Sequence, residues 1–152
     1  MWSEKNSIAL SQIAVKVFLG ILVGCDVGGW WLVDWFLGWT RYWPMDDLAH
    51  RVLFLASLYA ASVPAYCILL CLTRLLANIS DGQVFIPQNV RALRSASWCC
   101  VAAALVCLAS CFYYIPFLAV AVAAAFMALI IRIIKNVFEQ AIGMKSELDL
   151  TV

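Results

Sequence analysis

Asp26 is an acidic residue inside a long apolar stretch near the start of the chain. An ionisable side chain at mid-membrane depth is costly and by default suggests function. One interpretation is a proton-coupled pathway for a small molecule or an ion, as in small four-helix exporters with one acid on the first span. The other is a protonated or hydrogen-bonded carboxyl group that fixes helix packing through Tyr66 or Ser62. No second buried charge supports a proton relay.

The single histidine, His50, lies close in sequence to Asp46, Asp47 and Arg51. This group could sense external pH or hold a metal ion, but one histidine with two carboxylates is equally typical of a solvated loop. No Ser, His and Asp arrangement and no Gly-rich phosphate loop can be recognised. We therefore expect a protein that is not an enzyme.

Six of the seven cysteines lie within long apolar runs: Cys67, Cys71, Cys99, Cys100, Cys107 and Cys111. Two pairs have i, i+4 spacing, Cys67 with Cys71 and Cys107 with Cys111, and Cys100 joins the face of the second pair, which is compatible with a redox or soft-metal site. A CxxC dithiol is absent from the sequence, however, and free cysteine is among the most buried residue types. The sequence favours packing, and we expect no metal and no cofactor.

The composition indicates what surrounds these residues. Of the 152 residues, 66% are hydrophobic and 12% are charged, against roughly 45–50% and about 25% in soluble proteins. The formal net charge is +1, and neither zinc-finger spacing nor a long basic arm is found, so direct nucleic-acid binding is not expected. The lipid bilayer is the expected environment, and no removable signal peptide is recognised.

The charged residues divide the chain into apolar segments. Between Arg51 and Arg74 lie 22 uncharged residues, and between Arg94 and Arg132 lie 37. A single helix of the second length would extend about 55 Å, so it must fold back, and Tyr113–Pro116 marks the break. The prediction is one all-α domain over 1–152, with spans at about 12–37, 50–76, 90–114 and 116–142 and a tail at 143–152.

Orientation follows from the distribution of Lys and Arg. Eight cations fall on the side of the termini, and only Arg41 and Arg51 fall on the other. The eight are Lys5, Lys16, Arg74, Arg91, Arg94, Arg132, Lys135 and Lys145. Because positive charge accumulates in the cytoplasm, both termini are predicted to be cytoplasmic.

A small cytoplasmic feature is predicted beside the second loop. Asp81-Gly82 is a turn signal, Val84–Ile86 is β-prone, and Pro87 suits a helix start. The tail, Ser146–Val152, alternates polar and apolar residues, which is a strand pattern. We expect the tail to pack as an extended strand against Val84–Ile86. The cover would be an apolar strip on the projecting fourth span, formed by Val137, Phe138, Ala141 and Ile142.

Gly20, Gly24 and Gly28 recur every four residues and form a smooth strip on the first helix. Such a strip allows another backbone to approach closely. The second backbone could belong to another copy of the chain, as in a homodimer, or to another helix of the monomer. Asp26 lies about 160–200° around the helix from Gly24 and Gly28, so the strip and the acid should face opposite ways.

The loop Asp81-Gly82-Gln83-Val84-Phe85, the segment Asn89–Arg94 and the tail Met144–Val152 together resemble a bacterial membrane family. This family is the YoaS-like proteins, domain of unknown function 2975, whose members have a similar length and four predicted spans. The most specific motif is the ending Asp-Leu-Thr plus an aliphatic residue. One departure is Ile86, where the family usually has a Ser or Thr that would cap the third helix.

The resemblance implies no known activity. Family members are often encoded beside a small helix-turn-helix regulator, which implies a membrane partner for a transcription regulator. The leading hypothesis is a regulatory or interaction protein of the bacterial inner membrane, and the alternative is a small transporter that uses Asp26. The expected partner-binding residues are Val84, Phe85, Asp149, Leu150, Thr151 and Val152.

Overall fold

The protein is built from α-helices. A computed structural model describes residues 4–39 and 47–149, and no strand occurs within these ranges. The helices are α1 (Glu4–Val27), α2 (Gly29–Trp39), α3 (Asp47–Ser80), α4 (Pro87–Ser110) and α5 (Phe117–Asp149). Four segments are long and apolar enough to span a membrane: Asn6–Val27, Leu48–Ser80, Pro87–Ser110 and Phe117–Lys145. The chain is therefore an all-α, multi-pass membrane protein.

The first apolar stretch is not the single helix that was expected over 12–37. It is interrupted at Gly28, which separates α1 from α2. Helical hydrogen bonds continue across the interruption, since the Gly28 N–H donates to the Gly24 carbonyl (2.8 Å) and the Leu32 N–H donates to the Gly28 carbonyl (2.9 Å). Adjacent glycines at 28 and 29 explain the break, because glycine is the poorest helix former after proline.

The fold-back predicted at Tyr113–Pro116 is confirmed. α4 ends at Ser110 and α5 begins at Phe117. The Tyr113 hydroxyl donates to Ser57 Oγ of α3 at 2.6 Å. The Tyr114 ring packs edge-on against Phe117, with ring centroids 5.5 Å apart. The Tyr113 hydrogen bond and a ring contact between Tyr114 and Phe54 tie the tight turn to α3.

Each span packs against the next one in the sequence. The closest packing joins α4 to α5, followed by α3 to α4 and then α1 to α3. Within the described ranges, α1 has no backbone contact with α4 or α5, so the bundle is an open row of antiparallel helices. Many large apolar side chains face outward, which suits a lipid environment.

Two expectations about the cytoplasmic feature were wrong. Val84–Ile86 is part of a loop rather than a strand, and α5 stays helical to Asp149, through the first half of the predicted tail strand. Two isolated short strands are only marginally stable in water, whereas each residue added to an existing helix gains one hydrogen bond. Leu150–Val152 lie outside the described residues.

Candidate functional site

Three hydroxyl groups of α3 converge on Asp26 of α1. Ser62 donates to Asp26 Oδ1 at 2.5 Å, and Tyr66 donates to Asp26 Oδ2 at 2.9 Å. Tyr59 donates to the Asp26 backbone carbonyl at 3.1 Å. The three donors have helical spacing and occupy one face of α3. We call these four residues the Asp26 cluster.

The Asp26 cluster joins α1 to α3. Both carboxyl oxygens have a hydroxyl partner, and the salt bridges among the described residues do not involve Asp26. Ser62 and Tyr66 are the two residues that the packing interpretation named. A polar group that must leave water is stabilised when its hydrogen bonds are satisfied. This is the arrangement that the packing interpretation predicts, in which hydroxyls of α3 bind the carboxyl group of α1.

The glycines of α1 and α2 have different surroundings. Gly20 and Gly24 have open space where a Cβ would project, so neither provides close packing within the monomer. A Cβ on Gly28 would meet the Gly24 carbonyl oxygen at 3.0 Å, which is a contact within its own segment. The close approach to α3 occurs at Gly29, where a Cβ would lie 3.2 Å from Leu58 Cδ2. As predicted, the strip faces away from the helix that binds Asp26.

The end of the bundle near His50 holds an ion pair between α2 and α3. Arg51 Nη1 lies 3.0 Å from Asp34 Oδ1, and both side chains are partly exposed. Within the described part of the chain, His50 Nε2 and Arg51 Nε are buried without a hydrogen-bond partner. Asp46 lies outside the described residues, so the predicted grouping of His50 with the loop acids stays a prediction.

At the opposite end of the bundle, which we call the loop end, α3 terminates in a Schellman motif. The Gly82 N–H donates to the Ile79 carbonyl at 3.0 Å, and the Gln83 N–H donates to the Asn78 carbonyl at 2.9 Å. Gly82 has φ 75°, the left-handed conformation that this motif requires and that glycine adopts without strain. The Asp81-Gly82 turn signal therefore acts as a helix stop.

Asn89 holds the loop to both neighbouring helices. Its amide nitrogen donates to the carbonyls of Gln83 (2.9 Å) and Val84 (2.7 Å), and its Oδ1 accepts a 2.7 Å hydrogen bond from Asn78 Nδ2. The Asn89 side chain is fully buried. Sequence reasoning missed these roles, although a signal was present in the two asparagines that flank a turn.

The loop also contacts the extended part of α5. The Phe85 ring packs on Phe138 with centroids 5.6 Å apart, which is the apolar cover that the sequence assigned to this helix. Glu139, the next residue of α5, forms two ion pairs. Its Oε1 lies 3.3 Å from Arg94 Nη2 of α4, and its Oε2 lies 2.9 Å from Lys135 Nζ of α5. Of the residues predicted to bind a partner, Phe85 contacts α5. Asp149 is the last residue of α5 that the structure describes.

Exposed apolar side chains also occur in the loop and along the last turns of α5. Phe85 is 49% exposed, Val137 56% and Met144 61%. We call Phe85, Val137, Phe138 and Met144 the loop platform. Val84, which was also predicted to bind a partner, is half-buried beside it. The predicted binding residues Leu150, Thr151 and Val152 lie beyond the described part of the chain.

The cysteines of α3 and α4 include one association that spacing along a helix could not show. Cys99 of α4 lies beside the i, i+4 pair Cys67 and Cys71 of α3, and Cys111 lies beside Cys107 within α4. All seven cysteines are free thiols. In the part of the chain that the structure describes, no group of three or more His, Cys, Asp or Glu side chains could hold a metal ion.

The comparisons with known proteins agree with the loop and tail motifs. The family model described as "Protein of unknown function (DUF2975)" matches residues 37–152. The matched region contains α3, α4, α5 and the loop end, and it begins after Asp26. No curated protein and no solved structure matches the chain. Because the match covers more than half of its length, the chain belongs to the DUF2975 family.

Proposed function

We propose that this protein is a regulatory or interaction protein of the bacterial inner membrane, without enzymatic activity, that binds a soluble partner at the loop end. The main support for this proposal is the contact between Phe85 and Phe138, because it holds the loop against α5 in a fixed position. A pre-ordered surface loses less conformational entropy when a partner binds. The positive-inside distribution of charge supports a cytoplasmic location for the loop end.

The length of α5 supports the same proposal. A hydrocarbon core about 30 Å thick needs roughly 20 residues of helix, and α5 has 33 residues. About a third of α5 is therefore free to extend beyond the membrane, in the region of Val137 and Met144. Exposed apolar side chains outside the membrane are typical of protein interaction sites.

The proposed partner is a helix-turn-helix transcription regulator, the class that the family resemblance implied. The loop platform takes the place of the predicted pairing between the tail and Val84–Ile86, because the first half of the tail is helical. Asp149, Leu150, Thr151 and Val152, which follow the platform residues along the chain, remain part of the proposed binding surface. Binding would then keep the regulator at the membrane.

The test is a detergent pull-down from native cells, with the helix-turn-helix regulator identified by mass spectrometry. Full-length protein should recover the regulator, and a chain ending at Met144 should not. The double variant Val137→Glu/Met144→Glu should also lose it, because it places charge on the platform. Asn136→Glu is the matched control, since Asn136 is exposed on the side of α5 away from Phe138. Equal recovery by full-length, truncated and double-variant proteins would exclude the proposal.

A further inference from the structure

Two adjoining cavities lie between α4 and α5, on the outer surface of the bundle. The first is an apolar groove of about 420 Å³ that runs from Ser97 and Arg132 to Leu108 and Leu118. The second is a polar cleft of about 310 Å³ lined by Arg94, Ser97, Trp98, Arg132 and Lys135. Ser97 and Arg132 line both cavities, so the groove opens into the cleft.

The groove owes its shape to the distribution of small and large residues. Ala121 and Ala128 are buried and form its floor, whereas Leu105, Leu118 and Leu129 are 61%, 47% and 59% exposed and form its walls. From Leu118 to Arg132 the groove follows about 21 Å of helix. That length exceeds one leaflet, which is about half of a core roughly 30 Å thick. The groove therefore has the dimensions and polarity to hold a single acyl chain.

The cleft at the end of the groove is cationic. Arg94, Arg132 and Lys135 contribute three positive charges and Glu139 contributes one negative charge, which leaves a net charge of +2. Glu139 pairs with Arg94 and Lys135, and Arg132 has no carboxylate partner among the described residues. The Arg132 guanidinium carbon lies 5.6 Å from the centroid of the Trp98 ring. This cation–π contact orients the guanidinium and leaves its N–H groups available to an anion.

The side chain of Arg132 is long enough to reach the level of a lipid headgroup. Arg132 lies 15 residues after Phe117, the start of α5, which is roughly 22 Å of helix. A long Arg side chain near this depth reaches the interface, where tryptophan is also enriched. Basic pockets between membrane helices on the cytoplasmic side are suited to anionic headgroups.

We infer that the α4–α5 face is a binding site for an anionic phospholipid, with its phosphate at Arg132, Arg94 and Lys135 and one acyl chain in the groove. The ligand is a lipid rather than a free anion, because the apolar groove continues directly from the cationic cleft. The site shares no residue with the loop platform, so its test does not require the proposed partner.

The test uses the full chain in a neutral detergent, with dioleoyl-phosphatidylglycerol as the probe and native mass spectrometry and thermal shift as the readouts. The wild-type protein should retain phosphatidylglycerol and gain thermal stability from it, and dioleoyl-phosphatidylcholine should do neither. Arg132→Gln should weaken binding about tenfold, since a charge-assisted hydrogen bond is lost. Arg94→Gln provides a second charge variant if Arg132→Gln does not fold.

The groove is tested by Ala125→Phe, which fills it from an exposed position in its lining and should also weaken phosphatidylglycerol binding. The matched controls should leave binding unchanged: Arg74→Gln removes a cation at the same end of the bundle, and Ala102→Phe adds a ring on an exposed face of α4. Equal phosphatidylglycerol binding by wild-type, Arg132→Gln and Arg94→Gln proteins would overturn the inference. Stabilisation by inorganic phosphate alone, unaffected by Ala125→Phe, would also overturn it and would identify a free-anion site.

Discussion

Asn78 and Asn89 form a hydrogen bond of 2.7 Å between the last turn of α3 and the first turn of α4. The Asn89 amide nitrogen also binds two loop carbonyls. One fully buried side chain thereby sets the geometry of the loop that carries Phe85.

Asn89→Ala should destabilise the protein by about 1–3 kcal/mol, because it leaves buried polar groups of the loop without partners. The measurement is the thermal unfolding midpoint in detergent. Asn78→Ala removes only the bond between the two side chains and should cost less. In a double-mutant cycle the two changes should be non-additive. Additive effects would show that the Asn78–Asn89 bond contributes nothing to stability.

Asp26→Asn should leave folding largely intact, because an amide oxygen can still accept a hydrogen bond from Ser62 or Tyr66. Asp26→Leu should cost about 1–3 kcal/mol, since Tyr66 loses its acceptor and Ser62 keeps only the Leu58 carbonyl. Thermal unfolding of the two variants in detergent separates these outcomes. Equal destabilisation by Asp26→Asn and Asp26→Leu would show that the hydrogen bonds to Asp26 do not account for its contribution to stability.

The same Asp26→Asn protein tests the transporter alternative. A relay requires a carboxyl group that releases and takes up protons, and an amide cannot do this. Proton-dependent efflux from reconstituted vesicles should be abolished if Asp26 is the relay. Unchanged efflux would eliminate the relay role and leave packing as the function of this residue.

Ile86→Thr should stabilise the protein by about 0.5–1 kcal/mol by supplying a helix N-cap. Ile86 occupies the N-cap position of α4 with φ −122° and ψ 148°, and it makes no side-chain capping hydrogen bond. Threonine keeps the β-branch and adds a hydroxyl that can bind an N–H group of the first turn. Ile86→Val is the matched control, because it removes a similar volume without adding a hydroxyl. An equal unfolding midpoint for Thr and Val would contradict the capping argument.

The predicted orientation is testable by cysteine accessibility. In a cysteine-free background, a probe at position 46 should react with an impermeant reagent added to intact cells, and a probe at Asp81 should react only after permeabilisation. The reason is the excess of cations at the loop end. The reverse pattern would place the loop platform outside the cell and would exclude a cytoplasmic partner.

Several features of this fold could be predicted because they depend on local sequence. The start of α4 at Pro87 follows from a residue that favours the first helical position. The opposite placement of Asp26 and the glycine strip follows from the helical period alone. The number of spans follows from the lengths of the uncharged runs, since a helix longer than the bilayer must fold back.

The strand predicted over Ser146–Val152 was wrong for a reason that is also local. Ser146–Val152 alternates in a strand period, but a short alternating segment at the end of a long helix can continue that helix at little cost. Periodicity over so few residues cannot decide between the two states. Tertiary contacts of Phe138 and Glu139 anchor the turns of α5 that precede this segment.

The sequence by itself determined the class of protein, the number of its spans and the family, because hydropathy and short motifs can be read residue by residue. Only the tertiary structure decided which side chains meet. Asn78 with Asn89, Cys67 with Cys99, and Arg132 with Trp98 are pairs separated by 11 to 34 positions in the sequence. Their contact depends on the rotation and register of packed helices, which result from many weak contacts along each interface rather than from any local pattern.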